Sequence, residues 1–199
     1  MFLSRGIRAV TMDDIAREMA VSKRTIYENY RDKEDLLKAV LNRMDQKYAE
    51  EVELIRQKAE NTIILIFEMM KISISAISRI NPLFFSDIKR HHYRVWMEVH
   101  SINLNKQKER TLEIIRQGTH EGLFRSEINQ EIVSILLMEQ LRIMHEKNVF
   151  PEEKFSRLEV IENVVVNFFR GIATDKGLSL INELLEREAE LFQRNRPRA

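Results

Sequence analysis

Apolar positions along this chain recur at intervals of three and four, the period of a helix with one buried stripe. Met12, Ile15, Ala16 and Met19 mark the first stripe, and Thr11 stands ahead of them as an N-cap with Asp14 three residues later. Ser22 caps a second short helix, in which Ile26 and Tyr30 point inward while Lys23, Arg24, Thr25 and Tyr27 face out. Asp32 opens a third helix. Its long stripe of Leu37, Leu41, Met44, Tyr48, Val52 and Ile55 joins the first helices to the rest of the chain without a linker. Further helices are expected from Asn61 to Arg79, from Asn81-Pro82 to His91, and from Tyr93 to Glu121, the last closed by Gly122. Asn129 caps another that runs to about Lys147. After Pro151 come Arg157 to Ile172 and Gly177 to Arg194, about nine helices in all. No alternating run suggests a strand, so the chain reads as all-α.

The stretch from Thr11 to Lys33 carries the clearest chemistry. Ala16 is small where two helices should cross closely, and Val21 and Ile26 fill the wedge between them, as in a helix-turn-helix. An outward face of Ser22, Lys23, Arg24, Thr25 and Tyr27 can contact phosphates and base edges in a major groove. Lys33, in the first turn of the third helix, would lie beside a phosphate. The same spacing also suits a plain solvated helical hairpin.

The run from Ala9 to Leu41 resembles the DNA-binding domain of the tetracycline-repressor (TetR) family of bacterial transcription regulators. The likeness rests on the Thr-capped helix, Val21-Ser22, Tyr27, Tyr30 and Lys33-Glu34-Asp35-Leu36. It implies that Thr11, Tyr27 and Lys33 hold phosphates, that Ser22, Lys23, Arg24 and Thr25 line the groove, and that Tyr30 is mainly core. It also implies a homodimer, because DNA half-sites need two reading heads. Two departures stand out. Family members begin with a helix of about four turns, within the ordinary range for globular helices, whereas Met1-Phe2-Leu3-Ser4 leaves room for its last turn only. This suggests a chain trimmed or numbered late, with a looser head. Ala20 stands where the family often has Gly, and a positive φ there would cost Ala up to about 1 kcal/mol relative to Gly.

Composition narrows the remaining choices. With 199 residues, 44% hydrophobic and 32% charged, the chain can bury a real core in one or two domains. The absence of cysteine excludes disulfides and thiol chemistry and fits a reducing cytoplasm. The N-terminus lacks the apolar segment of a signal peptide. The most hydrophobic stretch, Thr62 to Ile80, carries Glu68, Lys71 and Arg79, so no membrane span is expected. A net charge of +1 says little, since a DNA binder needs only a local basic surface. Lys23, Arg24, Arg31 and Lys33 supply one, opposed by Glu28.

Two later helices are apolar nearly all round. Val133, Ile135, Leu136, Leu137, Met138, Leu141, Ile143 and Met144 encircle one, and Val160, Ile161, Val164, Val165, Val166, Phe168 and Phe169 crowd the other. Such helices are buried on both faces, either deep in one subunit or in a four-helix dimer interface. The interface reading places Leu137, Leu141, Met144, Val165, Phe168 and Phe169 between subunits. Around the Asn81-Pro82 break, Phe67, Met70, Phe84, Tyr93, Trp96 and Met97 suit the walls of a small-molecule pocket, although aromatic and Met residues at this spacing also fill plain cores.

His91, His92 and His100 lie nearby, but no pair has the three- or four-residue spacing of two ligands on one helix face, so neither a metal site nor a cofactor is expected. There is no Gly-rich phosphate loop and no nucleophile elbow, and the carboxylates mix with Lys and Arg as on solvated helices, so no catalytic residue is assigned.

The expectation is an all-α, cytoplasmic, homodimeric regulator. Residues 1–46 form a helix-turn-helix DNA-binding domain and 47–199 a helical ligand-binding and dimerisation domain. Its partners are a palindromic double-stranded DNA operator and a small-molecule effector that releases it. The alternative is an all-helical ligand-binding or protein-interaction module with a degenerate head.

Overall fold

The computed structural model describes residues 1–144, 149–151 and 154–188. Among these, every named element is helical: α1 (Phe2–Arg5), α2 (Met12–Glu18), α3 (Lys23–Asn29), α4 (Lys33–Arg56), α5 (Thr62–Ser78), α6 (Pro82–His91), α7 (Tyr93–His120), α8 (Gln130–Ile143), α9 (Arg157–Ile161), a π-helical turn (Glu162–Val166), α10 (Asn167–Ile172) and α11 (Asp175–Arg187). The expected helix ends near Lys147 and Arg194 lie outside the described residues, as does the side chain of His100. No helix among the described residues is long and apolar enough to cross a membrane.

The chain packs as two compact units, Met1–Gln57 with Lys71–Asn105, and Lys58–Met70 with Lys106–Ala199. Helices α5 and α7 each contribute one half to either unit.

The first unit is built on a core of Phe2, Ile7, Val10, Ile15, Ile26, Leu37, Leu41, Phe84, Ile88 and Val95. Hydrogen bonds tie α1 to the start of α6. Asn81 N donates to the Leu3 carbonyl at 2.7 Å and Asn81 Nδ2 to the Ser4 carbonyl at 3.1 Å. The Arg8 amide then donates to Asp87 Oδ2 at 2.8 Å. Gly6 between them adopts φ 84°, and its bare Cα lets Leu83 and Asp87 approach. Helix α4 is held to its neighbours by Lys38 Nζ on Glu98 at 2.6 Å and by Glu34 on His92 Nδ1 at 3.0 Å.

In the second unit, two connections are stitched together. Thr174 N donates to the Leu123 carbonyl at 3.0 Å and Arg125 N to the Ile172 carbonyl at 2.9 Å, with Phe124 and Ala173 forming an isolated antiparallel bridge. Gly177 lies inside the first turn of α11, and a Cβ there would collide with the Leu123 carbonyl. The last helix starts before the expected Gly177, because Thr174 is its N-cap, its hydroxyl accepting from Gly177 N. Phe124 stacks on Phe169 at 5.7 Å between centroids. Glu121 accepts from Thr62 N at 2.8 Å and so caps α5 from the end of α7.

Candidate nucleic-acid interface

Each short helix at the N-terminus is fixed by its own cap. Thr11 Oγ1 accepts from Asp14 N at 3.1 Å, and the Asp14 carboxylate accepts from Thr11 N at 3.0 Å and from the Thr11 hydroxyl at 2.6 Å, a complete capping box. These bonds from the Thr11 hydroxyl and amide, helped by Arg17 and Arg5, hold the Asp14 carboxyl below its ordinary range. Ser22 caps α3 by accepting from Thr25 N at 3.0 Å, and Asp32 caps α4 by accepting from Asp35 N at 2.8 Å.

The turn between α2 and α3 passes through Ala20 at φ 53°, the left-handed conformation that Gly takes without cost. Val21 N reaches back to the Ala16 carbonyl at 3.0 Å. Ala16 and Ile26 are buried at the crossing, as expected. Met19 and Val21 are not, at 65% and 39% exposure. The reason is local: α2 stops at Glu18, Met19 is its C-cap, and the left-handed residue turns the chain before the stripe can continue.

Ser22, Lys23, Arg24, Thr25 and Tyr27 all lie exposed on α3, while Tyr30 is half-buried against the core. Lys23 Nζ pairs with Asp13 of α2 at 2.9 Å, and this bond and charge raise its pKa. Arg24 Nε pairs with Glu28 at 2.9 Å. Lys33 is half-buried with Nζ 5.8 Å from the centroid of the Phe2 ring, and the loss of solvent lowers its pKa against the pull of Asp87 and Asp14. The structure therefore brings together Thr11, Lys33 and the α3 residues within one unit. Arg31, also exposed, pairs with Asp32 at 3.4 Å.

The other expected sites are distributed differently. Phe67 and Met70 line a small apolar cavity in the second unit with Ile63, Ile66, Val166, Phe169 and Ile181. Its volume is about 10 Å³, roughly room for one water. Phe84 is core in the first unit and Trp96 is half-buried against that core, whereas Tyr93 and Met97 are exposed. Phe67 and Met70 thus belong to the second unit and the other four to the first. Leu137, Val165 and Phe169 are at most 6% exposed and packed within the chain itself, with Leu141, Met144 and Phe168 half-buried. The exposed apolar residues of α8 are instead Ile132, Ile135 and Leu136.

Residues 1–40 match the family model of bacterial regulatory proteins, tetR family. Over 170 residues the chain is 24% identical to an uncharacterized HTH-type transcriptional regulator, YvaF, of Bacillus subtilis (strain 168), covering 83% of this chain and 87% of that protein. The fold is similar to that of regulatory protein TetR from Rhodobacter sphaeroides, with a TM-score of 0.63 at 14% identity over 86% of this chain and 92% of the other. It is also similar to that of a transcriptional regulator from Cytophaga hutchinsonii ATCC 33406, with a TM-score of 0.62 at 20% identity over 87% and 93%.

Proposed function

The chain is a transcriptional regulator of the TetR family, and from that premise we propose that it is a homodimeric repressor released from a palindromic operator by a small molecule. The observation that carries this reading is the exposed face of α3. A helix with Ser22, Lys23, Arg24, Thr25 and Tyr27 outward and seated on buried Ile26, in the same unit as Thr11 and Lys33, would offer base-edge donors alongside phosphate contacts. In this division of labour, residues 1–46 read DNA and 47–199 bind the effector and dimerise.

The uncovered Ile132, Ile135 and Leu136 of α8 support pairing, since apolar side chains grouped on one helix favour a partner surface. The cavity beside Phe67 and Met70 holds about one water as it stands, so an apolar effector would have to open it by displacing a flexible side chain such as Met70. Induction is then a shift of population: an effector favours dimers whose two heads no longer match successive major grooves, and the operator favours the others.

Selection of duplexes from a randomised pool, followed by footprinting, tests the reading. Two half-sites in inverted orientation about one helical turn apart are expected. Failure to enrich any sequence would leave a helical ligand-binding or protein-interaction module in its place.

A further inference from the structure

We propose that Glu28 is a positioning residue that fixes which base Arg24 reads, an inference that rests on the DNA-binding reading above. A carboxylate on a surface that meets phosphates weakens binding, because it enters the negative field of the duplex. Glu28 nonetheless lies exposed on α3, one turn beyond Arg24, with Oε1 2.9 Å from Arg24 Nε. Exposed pairs at this spacing add little to stability, so folding does not account for it.

The atoms in contact are informative. Arg24 is 88% exposed along its side chain, and without a partner so long a chain would sample many rotamers. The pair is weak in water and strengthens where DNA excludes solvent, and contact through Nε then leaves the two Nη groups as an end-on fork, a match for O6 and N7 of guanine. The carboxylate beside that fork is acceptor-only, so it tolerates a neighbouring cytosine amino group and opposes the acceptor edges of other pairs. Lys23 is held in the same manner by Asp13. Both cations of α3 are thus paired in the free protein, an arrangement that trades general affinity for discrimination.

The test uses the full chain. Wild type, Glu28→Gln, Glu28→Ala and Arg24→Ala each select duplexes from a randomised pool, and Kd is measured for the selected and an unrelated duplex across a salt series. Wild type is expected to select guanine at one position in each half-site, and Arg24→Ala to lose it. Glu28→Ala should flatten preference at that same position, cutting the ratio of specific to unrelated affinity roughly tenfold. It should also bind the unrelated duplex a few-fold tighter, because a negative charge has left. Glu28→Gln, which keeps an acceptor oxygen, should fall between. Wild-type preference in Glu28→Ala overturns the proposal, as does a loss at a position other than Arg24's. Wild type that selects no sequence overturns the DNA-binding reading and the proposal with it.

Discussion

At Ala20 one methyl group sets a measurable cost. The residue holds φ 53° with no β-turn glycine to relieve it, and an L side chain there is strained, whereas Gly adopts the same conformation freely. Ala20→Gly should therefore raise stability, although Gly loses more entropy on folding, which limits the gain to at most about 1 kcal/mol. A shifted denaturation midpoint with an unchanged slope would report it, and a lower midpoint would mean that the strain is absent in solution. Lys33 shows a different economy. Its ammonium lies 5.8 Å from the centre of the Phe2 ring, half-buried, and the loss of solvent lowers its pKa against the pull of Asp87 and Asp14. Lys33→Ala and Tyr27→Phe should weaken binding to all duplexes alike, the Lys33 change reducing the salt slope by about one. Operator affinity and salt slope unchanged in Lys33→Ala would remove Lys33 from the phosphate contacts.

Among the elements, the caps made the first helices legible. Thr11, Ser22, Asp32, Asn81 and Asn129 each accept from a backbone amide of the helix they open, because a short polar side chain is the cheapest partner for those orphan donors. Thr11→Ala should cost about 1 kcal/mol and loosen α2. The same box sets an acid response. Asp14 titrates below the ordinary aspartate value of 3.8 in the folded chain, so its stabilisation is complete above that value and is lost as pH falls through the lower, folded one. Asp14→Asn should flatten the decline of stability over that acid window. An acid melting profile identical to that of wild type would contradict the capping role. Tertiary detail was less legible. Gly177 reads as a helix boundary, but its role is to let the Leu123 carbonyl approach, a contact 54 positions away in the chain that no local pattern records. Glu162 to Val166 reads as ordinary helix and takes a π turn. The aromatic and sulfur side chains between Phe67 and Met97 carry no local signal that separates core Phe84 from exposed Tyr93.

For the whole molecule the decisive question is which apolar side chains the subunit keeps for itself. Hydrophobicity on every face of α8 is readable in the sequence, but the direction of each side chain is set by what packs beside it. Leu137 and Val165 are buried at 6% and 5% within one subunit, while Ile132 and Leu136 stand one turn apart at 56% and 51% exposed. A charge at the two kinds of position should then have opposite consequences. Leu137→Glu or Val165→Glu places an unpaired charge in a closed core, which costs several kcal/mol, so the subunit itself should lose its cooperative melt. Ile132→Glu and Leu136→Glu leave that core untouched, so the chain should stay helical with a melting transition close to wild type at low concentration, yet sediment as a monomer and bind its operator more weakly, having lost the second head. If Ile132→Glu and Leu136→Glu remain dimeric, the contact between subunits lies away from this face of α8. If Leu137→Glu instead gives a folded monomer, that side chain meets a second subunit and the packing within one chain is looser than its burial implies.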